Sequence, residues 1–194
     1  MMGSVSIDLS LKNIWRSWWR FRSGKRRTKE LDLWQYYLES NLFRLYTDLN
    51  GGAYRHGSYQ YFTVSDTKRR DIAVASIRER VVHRLVYDYL VDIFDKTLIY
   101  DAWSCRKGKG LLGAIERSQQ FLRNFPRGLV WRADITKFFD HVQHATLRSC
   151  LTRKISDQKT LWLLDEIIAS YSRSTIRERE RVLWFHALDC RLVI

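Results

Sequence analysis

The sequence predicts an α+β fold. Apolar side chains recur every three or four positions through residues 30–49 and 77–94, which indicates amphipathic helices. Apolar and polar side chains alternate in residues 59–64 and again in 70–75, which indicates two short strands. Hydrophobic residues make up 45% of the 194 residues and only one residue is proline. We therefore expect a packed core rather than a disordered or linker-rich chain.

Residues 1–29 form a basic, tryptophan-rich arm. If this arm is helical, Ile14, Trp18 and Phe21 share one face, with Leu11 one turn before them. Charges run throughout the stretch, which excludes a secretory signal. The arm could dock on the body of the protein, lie on nucleic acid through its Arg and Lys side chains, or sit in a membrane interface. We favour packing combined with phosphate contact.

The next segment, ELDLWQYYLESNLFRLYTDL, predicts a single helix over residues 30–49 that ends at Gly51-Gly52. The two strands that follow are joined by a turn at Ser65-Asp66 and form a β-hairpin. Lys68, Arg69 and Arg70 lie near its tip.

Residues 77–94 carry two apolar stripes and predict a buried helix. We interpret His83 on this helix as a core or surface residue rather than a catalytic one. A polar loop with Gly108 and Gly110 then leads into another helix. Its Gly-Lys-Gly sequence suits a close approach to phosphate, but the loop is not a P-loop because the GxxxxGK[ST] spacing is absent.

Residues 129–135, LVWRADI, predict a strand that delivers Asp134 at its end. A carboxylate there could hold a divalent metal, helped by the backbone carbonyl of Ile135. A helix carrying Leu147 and Leu151 follows, and residues 157–171 predict another, with Leu161, Leu164 and Ile168 on one side. Residues 172–194 match nothing that precedes them.

The net charge of +13 and the pI near 9.9 favour a polyanionic partner, either nucleic acid or an anionic membrane surface. A soluble protein that is merely basic is the alternative. No apolar run approaches the roughly 20 residues that a membrane span needs. The three cysteines lack metal-type or disulfide-scaffold spacing, so we expect a reduced, cytoplasmic protein without a transmembrane segment.

Five segments, in this order, resemble bacterial reverse transcriptases of the group II intron, retron and diversity-generating retroelement kind. They are GGAYRHGSYQYF, DTKRRDIAVA, SIRERVVHRLV, YDAWSCRKGKGLLGAIER and WRADITKFFDHVQH, and the resemblance covers roughly residues 19–171. It implies the fingers of a right-hand polymerase at 30–125 and the first strand and helix of an incomplete palm at 126–171. The arm at 1–29 and an atypical tail at 172–194 flank them.

The resemblance also implies roles for individual residues. Asp134 resembles the first metal-binding, catalytic Asp of the palm, and Phe139 resembles the aromatic gate that excludes a 2′-hydroxyl. Arg70 and Lys68 resemble residues that hold the nucleoside triphosphate, as suits cations that pair with phosphate oxygens. Arg106, Lys107 and Lys109 resemble a template-side fingers surface. The implied cofactor is Mg²⁺, with Mn²⁺ as the alternative, and the implied partners are an RNA template, a DNA or RNA primer and dNTPs.

The sequence departs from that family at one point: it contains no Tyr-x-Asp-Asp motif and no adjacent Asp pair. We therefore expect a fragment, from a truncated or frameshifted gene, with little or no polymerase activity by itself. A second chain that completes the palm is one open partner. Two other functions stay open: an inactive RNA-binding relic or accessory protein, and a membrane-surface protein acting through its Trp/Arg arm.

Overall fold

A computed structural model describes residues 6–65, 69–135 and 138–171, without the side chains of residues 69–71, 139 and 140. Helices predominate in these ranges, and the two strands found there form one antiparallel sheet, so the predicted α+β class is confirmed. The elements are α1 (Leu11–Arg22), α2 (Lys29–Tyr36), α3 (Leu38–Asn50), β1 (Gln60–Ser65), β2 (Arg69–Val74), α4 (Ile77–Phe94), a 3₁₀ turn (Asp95–Thr97), α5 (Leu111–Asn124), α6 (Phe138–His141), α7 (His144–Thr152) and α8 (Gln158–Ser170).

The hydrophobic core is shared by α1, α3, α4 and α8. Burying such large apolar side chains supplies the main favourable term in folding. Side chains with almost no exposed surface include Trp18, Leu45, Tyr54, Ile77, Leu85 and Leu163.

Helix α1 belongs to this core. Ser10 caps it by accepting a hydrogen bond from the Asn13 amide at 3.3 Å. Its predicted apolar face is confirmed, since Ile14, Trp18 and Phe21 are all buried. Trp18 stacks on Trp34 of α2 with 4.4 Å between ring centroids. The arm therefore docks on the body of the protein, as one of its three interpretations expected.

The single helix predicted over residues 30–49 is wrong, because the chain breaks at Tyr37 into α2 and α3. Tyr37 has φ −98° and ψ 29°, outside regular helical values. The side-chain amide of Asn41 donates to the Trp34 carbonyl at 3.0 Å. A continuous helix would offer that carbonyl to a backbone amide, so the asparagine competes with the helical ladder.

The predicted stop at the glycine pair is confirmed. Gly52 adopts the left-handed region at φ 69°, which glycine enters without steric cost. The amides of Ala53 and Tyr54 then donate back to the Asp48 carbonyl at 2.9 and 3.0 Å. This reversal sends the chain from the end of α3 toward the hairpin.

The predicted hairpin and the predicted helix over residues 77–94 are both confirmed. In the sheet, Tyr61 pairs with Ala73 and Val64 with Arg70. The last described pair before the turn is Ser65 with Arg69.

The predicted strand over residues 129–135 is wrong. These residues form neither helix nor strand, and Leu129 and Trp131 are almost fully exposed. A strand is stabilised by hydrogen bonds to a neighbouring strand. Among the described residues none lies beside this segment.

The helices after that segment follow the prediction more closely. On α8 the buried side chains are Leu161, Leu163, Leu164 and Ile167, whereas the predicted Ile168 is only partly buried. The predicted tail at 172–194 lies outside the described residues. Across the part of the chain that the structure describes, no helix combines the length and apolar character that crossing a membrane requires.

Candidate functional site

Asp134 and Ile135 lie at the end of the segment that was expected to be a strand, and both are exposed. Phe139 follows Asp134 closely in the sequence and lies in the short helix α6, which begins at Phe138. The side chain of Phe139 lies outside the described residues. Its role as a steric gate therefore stays a prediction.

The metal prediction relies on the Asp134 carboxylate and the Ile135 carbonyl. Two-metal phosphoryl chemistry needs several oxygen ligands around two nearby ions. In residues 6–65, 69–135 and 138–171, no group of three or more His, Cys, Asp or Glu side chains could hold a metal ion. These donors alone therefore do not make a complete Mg²⁺ or Mn²⁺ site.

Arg70 lies in β2, one rung from the last described pair of the hairpin. Its side chain, and the whole of Lys68, fall outside the described residues. The structure therefore does not test the prediction that Arg70 and Lys68 hold a triphosphate. What the structure shows is the scaffold: an antiparallel ribbon that carries Arg70 close to its turn.

Arg106 has a structural role that its predicted template contact did not anticipate. Its Nε and Nη2 donate to the two carboxylate oxygens of Asp95 at 2.7 and 3.2 Å. Nη1 donates to the carbonyls of Ile99 and Ala102 at 3.0 and 3.3 Å. This two-point pair lowers the pKa of Asp95 through the hydrogen bond from Arg106. All three guanidinium nitrogens are engaged within the loop, so Arg106 shapes that surface rather than offering a free cation.

Lys109 is also occupied. Its Nζ lies 3.8 Å from the ring centroid of Tyr100 and 4.4 Å from that of Trp103, and it donates to the Tyr100 carbonyl. An ammonium held over two aromatic faces is stabilised by their quadrupoles. Of the three predicted template-side cations, Lys107 is exposed and the other two are partly buried. A phosphate contact by any of the three stays a prediction.

A second arginine pair closes the same loop, and sequence reasoning missed it. Nε and Nη2 of Arg117, on α5, donate to the carboxylate oxygens of Asp101 at 2.9 and 3.3 Å. The Arg117 guanidinium also lies 4.5 Å from the Phe121 ring centroid. The two partners are sixteen positions apart, and no short-range pattern indicates such a pair. We call residues 95–117, with both arginine–aspartate pairs, the clamped loop.

Two backbone features complete the clamped loop. Cys105 and Gly108 both have positive φ, 57° and 73°, so the Cys-Arg-Lys-Gly turn is left-handed at its first and last residues. A Cβ placed on Gly113 would lie 2.7 Å from Trp103 Cζ3. Glycine there lets the indole rest directly on the helix backbone.

A second polar cluster lies at the end of the hairpin opposite its turn, which we call the foot of the hairpin. Arg78, on α4, donates to Asp48 Oδ2 and to Glu79 Oε1, each at 2.9 Å, and stacks 4.6 Å from the Tyr54 ring centroid. Burial opposes ionisation of Glu79, but hydrogen bonds from Ser76 and Arg78 outweigh it and lower the pKa of Glu79. The cluster joins the end of α3, the GGAYRHG segment and α4.

His56 and His83 also belong to this cluster, with His83 buried and His56 partly buried. Their Nε2 atoms are 3.0 Å apart and their rings stack at 5.1 Å. The Gly57 carbonyl lies 2.7 Å from His56 Nδ1. Burial, followed by the neighbouring His56, lowers the pKa of His83 to about 3. Burial also lowers the pKa of His56.

The hairpin foot is further tied to α8. The Tyr59 hydroxyl lies 3.3 Å from Ser170 Oγ, and Arg55 Nη1 lies 3.5 Å from Glu166 Oε1. On the other side of α8, Asp165 receives a two-point contact from Arg148 of α7 at 2.8 and 3.0 Å. The helices that follow Asp134 are thus linked to the hairpin through side chains.

No protein-family model matches the chain, and no curated protein is similar to it in sequence. Any functional conclusion therefore comes from its residues and their geometry.

Proposed function

We propose that the chain is the template- and nucleotide-gripping part of a reverse-transcriptase-like polymerase. In this proposal residues 30–125 act as fingers and residues 126–171 begin the palm. Its ligands are an RNA template, a DNA or RNA primer and a dNTP. The observation that carries the proposal is that segments singled out by the sequence resemblance also contact one another in space.

The first contact joins GGAYRHGSYQYF to SIRERVVHRLV. Arg78 stacks on Tyr54, and His83 meets His56, so the helix is fixed to the foot of the hairpin by polar groups as well as by core packing. In the proposal this foot holds the ribbon that presents Arg70. A guanidinium so presented can pair bidentately with triphosphate oxygens.

The second contact joins α4 to the clamped loop, since the Tyr87 hydroxyl donates to the Cys105 carbonyl at 3.4 Å. Asp95 lies directly after α4 and holds Arg106, so the loop leaves the helix in a fixed direction. Lys107 is exposed on that loop. In the proposal it makes a sequence-blind contact to a template phosphate, of the kind that positions nucleic acid without reading it.

Nucleotidyl transfer needs more metal-binding carboxylates than the described residues of this chain supply. Asp134 supplies one acidic ligand, and the sequence has no Tyr-x-Asp-Asp motif to supply others. A bound divalent metal would supply charge stabilisation for nucleotidyl transfer. We therefore expect no primer extension by the 194-residue chain alone. Extension that is abolished by Asp134→Ala would contradict this expectation.

An accessory protein that grips RNA without chemistry is the second candidate. The missing carboxylate motif favours it. The two candidates separate when a polypeptide carrying a Tyr-x-Asp-Asp hairpin is added: the polymerase proposal predicts extension that depends on Asp134, and the accessory protein predicts none.

RNA binding is tested by salt titration with a fluorescent primer–template. The proposal predicts that the logarithm of affinity falls linearly with the logarithm of salt, by about 0.9 per duplex phosphate and about 0.7 per single-strand phosphate neutralised. Lys107→Gln should lower the slope by about one phosphate contact. Arg44→Gln, at an exposed cation on α3, is the matched control and should leave the slope unchanged. Absence of RNA binding, or binding insensitive to salt, would overturn the proposal.

A further inference from the structure

The solvent face of α1 carries two parallel stripes that the polymerase assignment does not use. One stripe is apolar, with Leu11, Trp15 and Trp19 at successive turns; the other is cationic, with Lys12, Arg16 and Arg20 beside it. All six side chains are exposed. Residues four apart on a helix lie on the same face, about 6 Å apart along the axis. We call these six residues the α1 stripe face.

The two tryptophans form a shallow, fixed aromatic surface. Trp15 is 43% exposed and Trp19 is 48% exposed, and their rings meet edge to face at 5.7 Å. The opposite side of the helix is anchored in the core through Ile14 and Trp18. The helix that carries the exposed rings is therefore fixed to the body of the protein.

All the charged side chains of α1 are cationic. The sequence of α1, LKNIWRSWWRFR, contains no acidic residue. Asp88 of α4 neutralises part of the stripe by pairing with Arg20 at 2.7 Å. Lys12 and Arg16 stay exposed, and Lys25, Arg26 and Arg27 follow the end of the helix. This surface therefore complements a polyanion.

The shape of the surface favours a nucleic acid over a membrane. An interfacial helix buries a broad apolar face in the lipid headgroup region. The broad apolar face of α1 is already buried in the protein core, and only three half-exposed apolar side chains remain outside. Flat rings flanked by guanidinium groups suit unpaired bases, which stack on aromatic side chains while cations neutralise the backbone.

We propose that the α1 stripe face binds single-stranded nucleic acid, with bases stacking on Trp15 and Trp19 and backbone phosphates on Lys12 and Arg16. The inference rests on the proposed function for its class of ligand, and it adds a contact surface separate from Asp134, Arg70 and Lys107. The bound strand is unpaired, because paired bases would not present their faces to the indoles.

The test uses the full chain and a fluorescent single-stranded RNA of mixed sequence, compared with a duplex of the same sequence. Trp15→Ala combined with Trp19→Ala should weaken single-strand binding about tenfold or more and duplex binding much less. Arg16→Gln should reduce the salt slope for the single strand by about 0.7. Phe43→Ala and Arg44→Gln, at exposed positions on α3, are the matched controls and should change neither quantity.

Each outcome has a distinct meaning. If the wild-type chain binds the RNA and the double tryptophan variant binds equally well, the α1 inference is overturned while the proposed function survives. If the wild-type chain binds no RNA, both fail. If the tryptophan variant instead loses binding to vesicles of anionic phospholipid and keeps RNA binding, the face is a lipid surface and the inference is overturned. Trp15→Phe with Trp19→Phe should recover part of the affinity, which separates stacking from misfolding.

Discussion

The Nε2 atoms of His56 and His83 lie 3.0 Å apart beneath the hairpin. At that distance one ring must donate and the other accept, so only one of the two facing nitrogens carries a proton. The charged groups that act on the pair are Glu79 and Glu166, whose charges favour protonation, and Arg78 and Arg80, whose charges oppose it. The pair is therefore a structural link that acid should break.

The stability of the chain should fall on mild acidification. Both histidines have a folded pKa below the ordinary value of 6.5, so the unfolded state binds more protons as the pH falls. The contribution is complete above about pH 6.5 and is lost progressively toward pH 3. For each extra proton that the unfolded state binds, the free energy of unfolding falls by up to about 1.4 kcal/mol per pH unit of acidification. Urea unfolding between pH 7 and pH 5 measures it, a window above the range where the Glu79 carboxylate titrates.

The control for this prediction is another histidine. His56→Gln should make the pH dependence shallower, whereas His144→Gln, at an exposed position on α7, should leave it as in the wild type. If the free energy of unfolding of the wild-type chain does not change over this pH range, the pKa values of the two histidines do not differ between the folded and unfolded states.

Gly113→Ala should destabilise the protein, although alanine usually stabilises a helix interior by roughly 0.5–1 kcal/mol over glycine. The new Cβ would lie 2.7 Å from the Trp103 ring, which Lys109 and Tyr100 hold in place. We expect a loss of about 1–3 kcal/mol in the free energy of unfolding. Gly110→Ala, where nothing lies within 4 Å, should cost less, because it only replaces the favoured N-cap residue of α5. Equal effects of the two changes would refute the contact.

Arg106→Gln should loosen the clamped loop far more than Lys107→Gln. Glutamine cannot reproduce the two-point contact with Asp95 or reach the carbonyls of Ile99 and Ala102. Limited proteolysis after the loop's lysines and arginines should accelerate several-fold in the Arg106 variant and little in the Lys107 variant. If the two variants are cleaved alike, Arg106 does not shape the loop.

Tyr54→Phe should leave stability unchanged or raise it by up to about 1 kcal/mol. The Tyr54 hydroxyl is buried and has no hydrogen-bond partner among the described residues, so it adds a desolvation cost without a bond. The stacking of Arg78 on the ring is kept in phenylalanine. Tyr59→Phe, which removes the contact with Ser170, should instead cost about 0.5–1.5 kcal/mol. Thermal and urea unfolding of both variants test the contrast.

Apolar spacing predicted correctly those helices and strands that form because of the pattern of their own side chains. The apolar stripes of α4 meet the core and the two predicted strands pair with each other, so both elements are confirmed, although every side chain of β1 is exposed and its alternation marks no buried face. The break at Tyr37 was not predictable from periodicity, since the apolar spacing of residues 30–49 continues across it; in the structure the Asn41 side chain donates to the Trp34 carbonyl there. The strand expected over 129–135 failed for a related reason: its apolar pattern is suitable, but no partner strand lies beside it among the described residues.

The candidate site divides in the same way. The residue types at 106, 107 and 109 indicated a cationic loop, but only the structure shows that Arg106 and Lys109 are occupied by Asp95 and Tyr100. The partnership of His56 with His83 spans 27 positions and has no short-range signature. Long-range ion pairs and ring contacts depend on the packing of whole elements, which periodicity does not specify.

Mg²⁺-dependent binding of a labelled dNTP to the chain in complex with an RNA template–primer is the decisive measurement for a polymerase-like site. We expect saturable binding that Asp134→Asn and Arg70→Gln weaken at least tenfold, and a preference for dNTP over rNTP that Phe139→Ala abolishes. Arg44→Gln should bind as the wild type does. Nucleotide binding that is absent, or that is indifferent to positions 70, 134 and 139, would contradict the account.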